Sequence, residues 1–436
     1  MTVDRRTLIA GGLATGGALL AAPAFAQARK RFPTGFRWGA ATSGIQTEGN
    51  MVNSDLWLLE HTRPSVFAVK SGDADNSLEL WPADLDLVKA MGLNTYRFSI
   101  EWSRIEPAEG EFSVAMLDHY KAMVDGCRKR GIAPVVTYSH YAAPRWLAAK
   151  GGWLSPDAPA LFARFCERAT RHFGAGIDHA ITLNEPNIMS VLGVVLPPQA
   201  AFGIAAMLDS AAKALGTDRL AVSNATKTQD IPALSAALLA SHRAARKAIK
   251  AVRPDLPVGF SLSMFDDEAV GDPAGRDAAR ARLYGMWLDA ARDDDFMGVQ
   301  NYERVLWGPE GRLPPPKGAV LNQSGAEVYG PSLANACRYA YSRAKVPILV
   351  SEHGVSTEDD AVRATLIRQA LPELLRAIDE GVPIKGYIHW SLLDNWEFVS
   401  GYEGKLGLVA VDRTSFKRTP KPSAAVLGAI ARRNAL

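Results

Sequence analysis

Cysteine is scarce in this chain of 436 residues: only Cys127, Cys166 and Cys337 occur, and none stands in a Cys-x-x-Cys spacing. No zinc or redox motif is therefore visible, and the odd count excludes a fully paired disulfide framework. Buried free thiols are expected over a structural disulfide, because a free cysteine packs as a small apolar side chain. Charge of one sign is also lacking, since 49 Lys+Arg against 46 Asp+Glu leave a formal net charge of +3. No Lys/Arg-rich run is interleaved with aromatics, so nucleic acid is not an expected partner. Beyond the first residues no apolar run approaches the roughly 20 residues that span a bilayer. No Gly-x-Gly-x-x-Gly and no phosphate loop follows a strand-like segment, which argues against a nucleotide site. Repeats of solenoid length and low-complexity tracts are missing as well.

What is present is ordinary globular composition, 47% hydrophobic and 22% charged, with ample length for a large core. The N-terminus is distinctive. Asp4-Arg5-Arg6-Thr7-Leu8-Ile9 is followed by a small and apolar run to Ala22 and by Ala24-Phe25-Ala26, an A-x-A cleavage pattern. The arginine pair resembles a twin-arginine signal, which exports folded proteins. The expectation is a signal peptide over residues 1–26 and one domain over 27–436, not anchored in the membrane after cleavage. The location would be the periplasm or another exported site. An uncleaved anchor is the alternative, and a short, Gly-rich apolar run argues against it.

Short apolar or β-branched runs recur along the chain at 36–42, 94–100, 133–138, 179–183, 258–264, 296–302, 348–352 and 384–390. Amphipathic helical patterns separate them, at 78–91, 114–130, 157–173, 234–252, 277–292, 332–344 and 362–380, with 424–432 closing the series. Eight strands alternating with helices predict an α/β fold, a single (β/α)8 TIM barrel with its active site at the C-terminal ends of the strands. An open doubly wound sheet is the alternative, disfavoured by the missing phosphate-binding loops.

Two strand ends carry the chemistry. Ile181-Thr182-Leu183 runs into Asn184-Glu185-Pro186, and Ile348-Leu349-Val350 runs into Ser351-Glu352-His353-Gly354. Pro186 lacks the N–H needed for further pairing, so it ends its strand and leaves Glu185 at the mouth. An isolated Glu at a strand end is more often solvated than catalytic. Two of them on the fourth and seventh strands can face one another across a barrel mouth. Paired carboxyl groups flanking one bond are what glycoside hydrolysis needs, one protonated to assist the leaving oxygen and one ionised.

Longer signatures make the resemblance specific. Residues 32–43 (FPTGFRWGAATS), Tyr96-Arg97-Phe98-Ser99-Ile100, TLNEPN at 182–187, SEHG at 351–354, WSLLDN at 390–395 and Lys417-Arg418-Thr419-Pro420-Lys421 together resemble glycoside hydrolase family 1, the β-glucosidase family, over nearly all of 31–424. The resemblance implies that Glu352 is the nucleophile and Glu185 the general acid/base of a retaining double displacement. It implies Asn184 on the sugar 2-hydroxyl, Tyr302 touching the nucleophile and Arg97 beneath it. Gln46, His140, Trp390 and Glu397 match the family's sugar-binding set, and a carboxylate at Glu397 would repel a 6-phosphate. Phe398 and Tyr141 stand where the family usually has Trp, around the sugar 3-hydroxyl, so a weaker demand for that hydroxyl is expected. Gln300, Asn301, His353 and Asn187 also depart from the family pattern; His353 is expected to pack rather than to tune the site.

The expected activity is an exported retaining β-glycosidase acting on β-glucosides or related β-hexosides, with a glycoside as the only implied partner. No metal and no organic cofactor is implied. A transglycosidase on the same carboxyl groups and a non-catalytic sugar-binding protein are the alternatives. Two long connections, 193–233 and 304–324, follow strands and either wall the leaving-group side of the pocket or decorate the surface. Oligomeric state is not legible.

Overall fold

The computed structural model describes residues 31–436, so the expected signal peptide and the start of the mature chain lie outside the described residues. The eight apolar runs form β1 (Arg37–Ala41), β2 (Thr95–Ser99), β3 (Ala133–Ser139), β4 (His179–Asn184), β5 (Val258–Ser263), β6 (Met297–Asn301), β7 (Ile348–His353) and β8 (Ile384–Trp390). Each pairs in parallel with its sequence neighbours, and β8 closes on β1 to complete the barrel. Strands covered on both faces read as continuous apolar runs, which is why β2 and β3 are buried at every position. Val135, Ile181, Leu349 and Ile388 form a small cluster separate from the main core. β3 and β4 stand opposite β7 and β8, so these side chains meet through the barrel interior.

Helices pack around the strands, most of them on the expected patterns. They are α1 (Ser77–Ala90), α2 (Val114–Lys129), α3 (Ala158–Phe173), α4 (Ile188–Val195), α5 (Pro198–Leu215), α6 (Ile231–Val252), α7 (Ala274–Ala290), α8 (Ser332–Ala344), α9 (Asp360–Asp379) and α10 (Pro422–Arg433). The local logic is visible in α2, where the Ser113 hydroxyl accepts the Met116 N–H at 3.2 Å and caps the first turn. In α3 the apolar stripe Leu161, Phe162, Phe165, Cys166, Ala169 and Phe173 is buried against the barrel. Phe165 stacks on Trp102 with ring centroids 5.3 Å apart. All three cysteines are buried and unpaired.

Loops after the strands rise over one end of the barrel. A second apolar cluster there joins Ile45, Leu56, Leu59 and Phe67 to Met207, Leu208 and Ala211 of α5 and to Trp396. A small three-stranded sheet, Asp266–Ala269 with Arg304–Gly308 and Gly311–Arg312, was not expected from the sequence. Among the described residues no helix is long and apolar enough to cross a membrane.

Candidate active site

Asn184 ends β4, and Glu185 follows it with φ of +43°, a conformation uncommon outside glycine. Its N–H is held by the Ser261 carbonyl at 2.9 Å. The pairing register shifts between Ile181 and Asn184 on β4 and between Val350 and Glu352 on β7. Register irregularities of this kind re-aim side chains beside functional sites. Here both fall immediately before the two glutamates.

Glu352 is held by three donors. Arg97 Nη1 lies 2.5 Å from Oε1, Gln300 Nε2 donates to the same oxygen at 2.8 Å, and the Tyr302 hydroxyl donates to Oε2 at 2.5 Å. Arg97 is fully buried, and its other nitrogens donate to Asn184 Oδ1 at 2.5 Å and Thr137 Oγ1 at 3.0 Å. Gln300 Nε2 also donates to Asn184 Oδ1 at 2.8 Å. Asn184 in turn contacts His140 Nε2 through Nδ2 at 3.2 Å. Burial keeps His140 neutral by pushing its pKa well down, and its ring stacks on Trp390 at 5.3 Å. The resulting order is fixed: with Asn184 donating, Nε2 accepts, and Nδ1, which has no partner, carries the proton.

Among the described residues Glu185 has no such cation in contact. Burial, and then the charge of Glu352, push its carboxyl up to about 7, opposed chiefly by the Tyr141 hydroxyl, which donates to Glu185 Oε2. Burial also pushes Glu352 up, but the Arg97 charge and the hydrogen bonds from Tyr302 and Arg97 pull it back. With the Arg97 cation in contact, Glu352 is the carboxyl of the pair favoured in its ionised form, and Glu185 the one favoured to carry the proton.

These groups share one cavity of about 430 Å³. Gln46, His140, Tyr302, Trp390, Glu397 and Phe398 line it together with Glu185 and Glu352, so the expected sugar-binding set is brought together. Asn184 and Arg97 lie beneath this layer. Trp390 Nε1 donates to Glu397 at 3.4 Å, and burial pushes the Glu397 carboxyl up to about 8. The Gln46 amide donates to Asn395 Oδ1 at 2.9 Å and to the Trp396 carbonyl at 3.0 Å.

Tyr141, grouped by resemblance with Phe398, lines the cavity beside it and also donates its hydroxyl to Glu185. Its backbone φ of +74° turns it there, and its ring packs edge-on against Phe398 at 5.5 Å. Gln300 was read only as a departure from the family, yet it ties Asn184 to Glu352. His353 packs as expected: burial holds it neutral, with its pKa pushed down to about 3, and Nδ1 meets the Tyr387 hydroxyl at 2.9 Å. Asn187 turns into the fold, accepting the Ser263 N–H at 3.1 Å and donating to the Ser263 carbonyl at 2.8 Å.

Both long connections reach the cavity, the first through Leu196, Ile204, Asn224 and Ala225 and the second through Asn322 and Ser324. The Pro314-Pro315-Pro316 run does not line it. Sequence reasoning missed the apolar residues Ile188, Leu192, Leu196 and Ile204 and the carboxyl of Glu303, all of which face the same space. Among the described residues no three His, Cys, Asp or Glu side chains stand together as a metal site.

Comparison with known proteins agrees with this geometry. The profile of glycosyl hydrolase family 1 matches residues 28–279 and 323–436. The crystal structure of β-glycosidase BGL167 superposes with a TM-score of 0.88 at 43% identity, covering 93% of this chain and 98% of that one. β-Glucosidase 1317 does so with a TM-score of 0.88 at 39% identity, covering 92% and 99%. Thermostable β-glucosidase B of Thermobispora bispora is 30% identical over 460 residues, 93% of this chain and 91% of the relative.

Proposed function

Because the chain belongs to glycosyl hydrolase family 1 and is a glycoside hydrolase of the β-glycosidase kind, we propose that it removes a non-reducing terminal β-D-glucosyl or related β-hexosyl residue with retention of configuration. The observation that carries this reading is the unequal wiring of the two carboxyl groups. Glu352 has a buried arginine and two further donors, whereas Glu185 has burial, a neighbouring negative charge and the Tyr141 hydroxyl as its contacting donor.

In the first step Glu352 attacks the anomeric carbon and the bond to the leaving oxygen breaks. The Glu185 proton passes to that oxygen, leaving a glycosyl ester on Glu352. Ester formation removes the Glu352 charge, so the pKa of Glu185 falls and its carboxylate becomes a base. Water then attacks the anomeric carbon, Glu185 takes its proton, and Glu352 is released as carboxylate. Asn184, fixed by Arg97 and Gln300, is positioned to hold the sugar 2-hydroxyl. His140, Gln46, Trp390 and Glu397 supply the remaining polar contacts.

A free hexoside is the favoured substrate over a 6-phosphate. Glu397 repels phosphate when ionised and offers no cation when protonated, and among the described residues no Lys or Arg lines the cavity. Export through the twin-arginine-like segment accords with that preference, because uptake phosphorylation is a cytoplasmic event. The test is hydrolysis of 4-nitrophenyl β-glucoside by the wild type and by Glu352→Ala and Glu185→Ala. Glu352→Ala is expected to lose at least about 10³-fold in kcat. Azide should restore turnover in both variants, giving the α-glycosyl azide with Glu352→Ala and the β-glycosyl azide with Glu185→Ala. Equal rates in wild type and Glu352→Ala would overturn the nucleophile assignment.

A further inference from the structure

One wall of the cavity has no role in the chemistry above. α4 begins three residues beyond Glu185, and the Ile188 N–H bonds back to the Glu185 carbonyl at 2.9 Å. Ile188, Leu192 and Leu196 then recur every fourth residue, so they form one line leading outward from Glu185. Ile204 of α5 joins them, and all four line the cavity that holds both glutamates. Leu196, at the outer end, is 38% exposed, so the stripe is open to a ligand rather than sealed in the core.

The wall is built rigidly. Behind it, Met207 and Leu208 of α5 are buried with Leu56, Leu59, Phe67 and Trp396. The Ser210 hydroxyl donates to the Arg63 carbonyl at 2.7 Å, and a Cβ on Gly203 would meet Val66 at 3.2 Å. Val66 and Phe67 line the same cavity. Glu303 follows Tyr302 and lines the same cavity; among the described residues its carboxyl makes no hydrogen bond or salt bridge, and Arg312 is the charge that acts on it. Burial pushes its carboxyl up. The Asn224 side-chain oxygen, also at the cavity, is buried and without a partner. Glu303 falls in residues 280–322, the internal stretch that the family profile leaves unmatched.

A sugar leaving group fits this wall poorly. Its hydroxyls project all round the ring, and pressing them on four aliphatic side chains forfeits their hydrogen bonds to water. Asn187, the nearest amide after Glu185, is committed to Ser263 backbone and offers no compensation. Burying an apolar body on the stripe instead removes apolar surface from water on both sides, which is favourable. Building on the proposed β-glucosidase reading, we infer that the leaving group is a bulky apolar alcohol rather than a second sugar, seated on Ile188, Leu192, Leu196 and Ile204, with Glu303 and Asn224 receiving a polar substituent.

The test compares menthyl β-glucoside, cellobiose and methyl β-glucoside, whose leaving groups are all alcohols of weak acidity. Wild type should show kcat/KM at least about tenfold higher on the menthyl glucoside than on cellobiose. In Leu192→Asn the ratio of menthyl to methyl glucoside kcat/KM should fall about tenfold. Equal use or preference for cellobiose, or a ratio unmoved by Leu192→Asn, would overturn the inference. Failure of all three glucosides would instead contradict the glucosidase reading. Calorimetric binding of free menthol then decides the wall separately: binding weakened by Leu192→Asn supports it, and no binding overturns it.

Discussion

At the scale of the residue, the Tyr141 hydroxyl is the side-chain donor in contact with the general acid. It donates to Glu185, favouring the ionised form and holding the pKa of Glu185 below what burial alone would set. Tyr141→Phe removes that donor, so the pKa of Glu185 rises and the protonated acid persists to higher pH. The alkaline limb of kcat/KM should move up by about one pH unit, the scale of one charge-assisted hydrogen bond. A limb that stays in place, or moves down, would contradict the assignment. Gln300→Asn shortens the amide that donates to both Asn184 and Glu352 at 2.8 Å. Its kcat should fall roughly ten- to a hundredfold with little change in folding, as read by circular dichroism and steady-state kinetics. The glutamates were legible in the sequence because each ends an apolar strand. Tyr141 and Gln300 were not, because their roles arise from reach across the barrel mouth, which no local pattern encodes.

At the scale of the element, the eight strands and the long outer helices were legible to within a few residues, since burial on both faces writes continuous apolar runs and burial on one writes a helical stripe. The helix α4 was not, because Ile188 to Leu196 is short and apolar nearly throughout, and periodicity does not separate such a run from a loop or a strand. The same loss of signal hid the apolar wall. The small three-stranded sheet was missed because Asp266–Ala269 is polar and gains its pairing only from Arg304–Gly308. Strand contacts also make a stability prediction. A Cβ on Gly259 of β5 would overlap the carbonyl oxygen of Phe296, a backbone atom that cannot turn aside. Gly259→Ala should lower stability by about 1–3 kcal/mol, measured by urea unfolding. An unchanged midpoint would show that the barrel yields there at no cost.

At the scale of the whole molecule, the site's buried acids tie stability to pH. Asp55 and Glu185 are pushed up to about 7, and Glu101 and Glu397 to about 8, each chiefly by burial. The folded protein thus binds protons that the unfolded chain has released, and stability is lost as pH rises toward those values. His140, His353 and His389, buried and neutral, act in the opposite sense but only below their ordinary value of about 6.5. Between pH 6.5 and 8 the acids act alone, so the thermal unfolding midpoint should fall across that interval; a rise would contradict the burial account. The central claim, however, concerns how two carboxyl groups divide one reaction, and the anomer first released reports it directly. Proton NMR during hydrolysis of a β-glucoside should show β-glucose appearing first, with the α-anomer growing only by mutarotation. Initial release of α-glucose would mean a single displacement by water and would contradict a covalent role for Glu352.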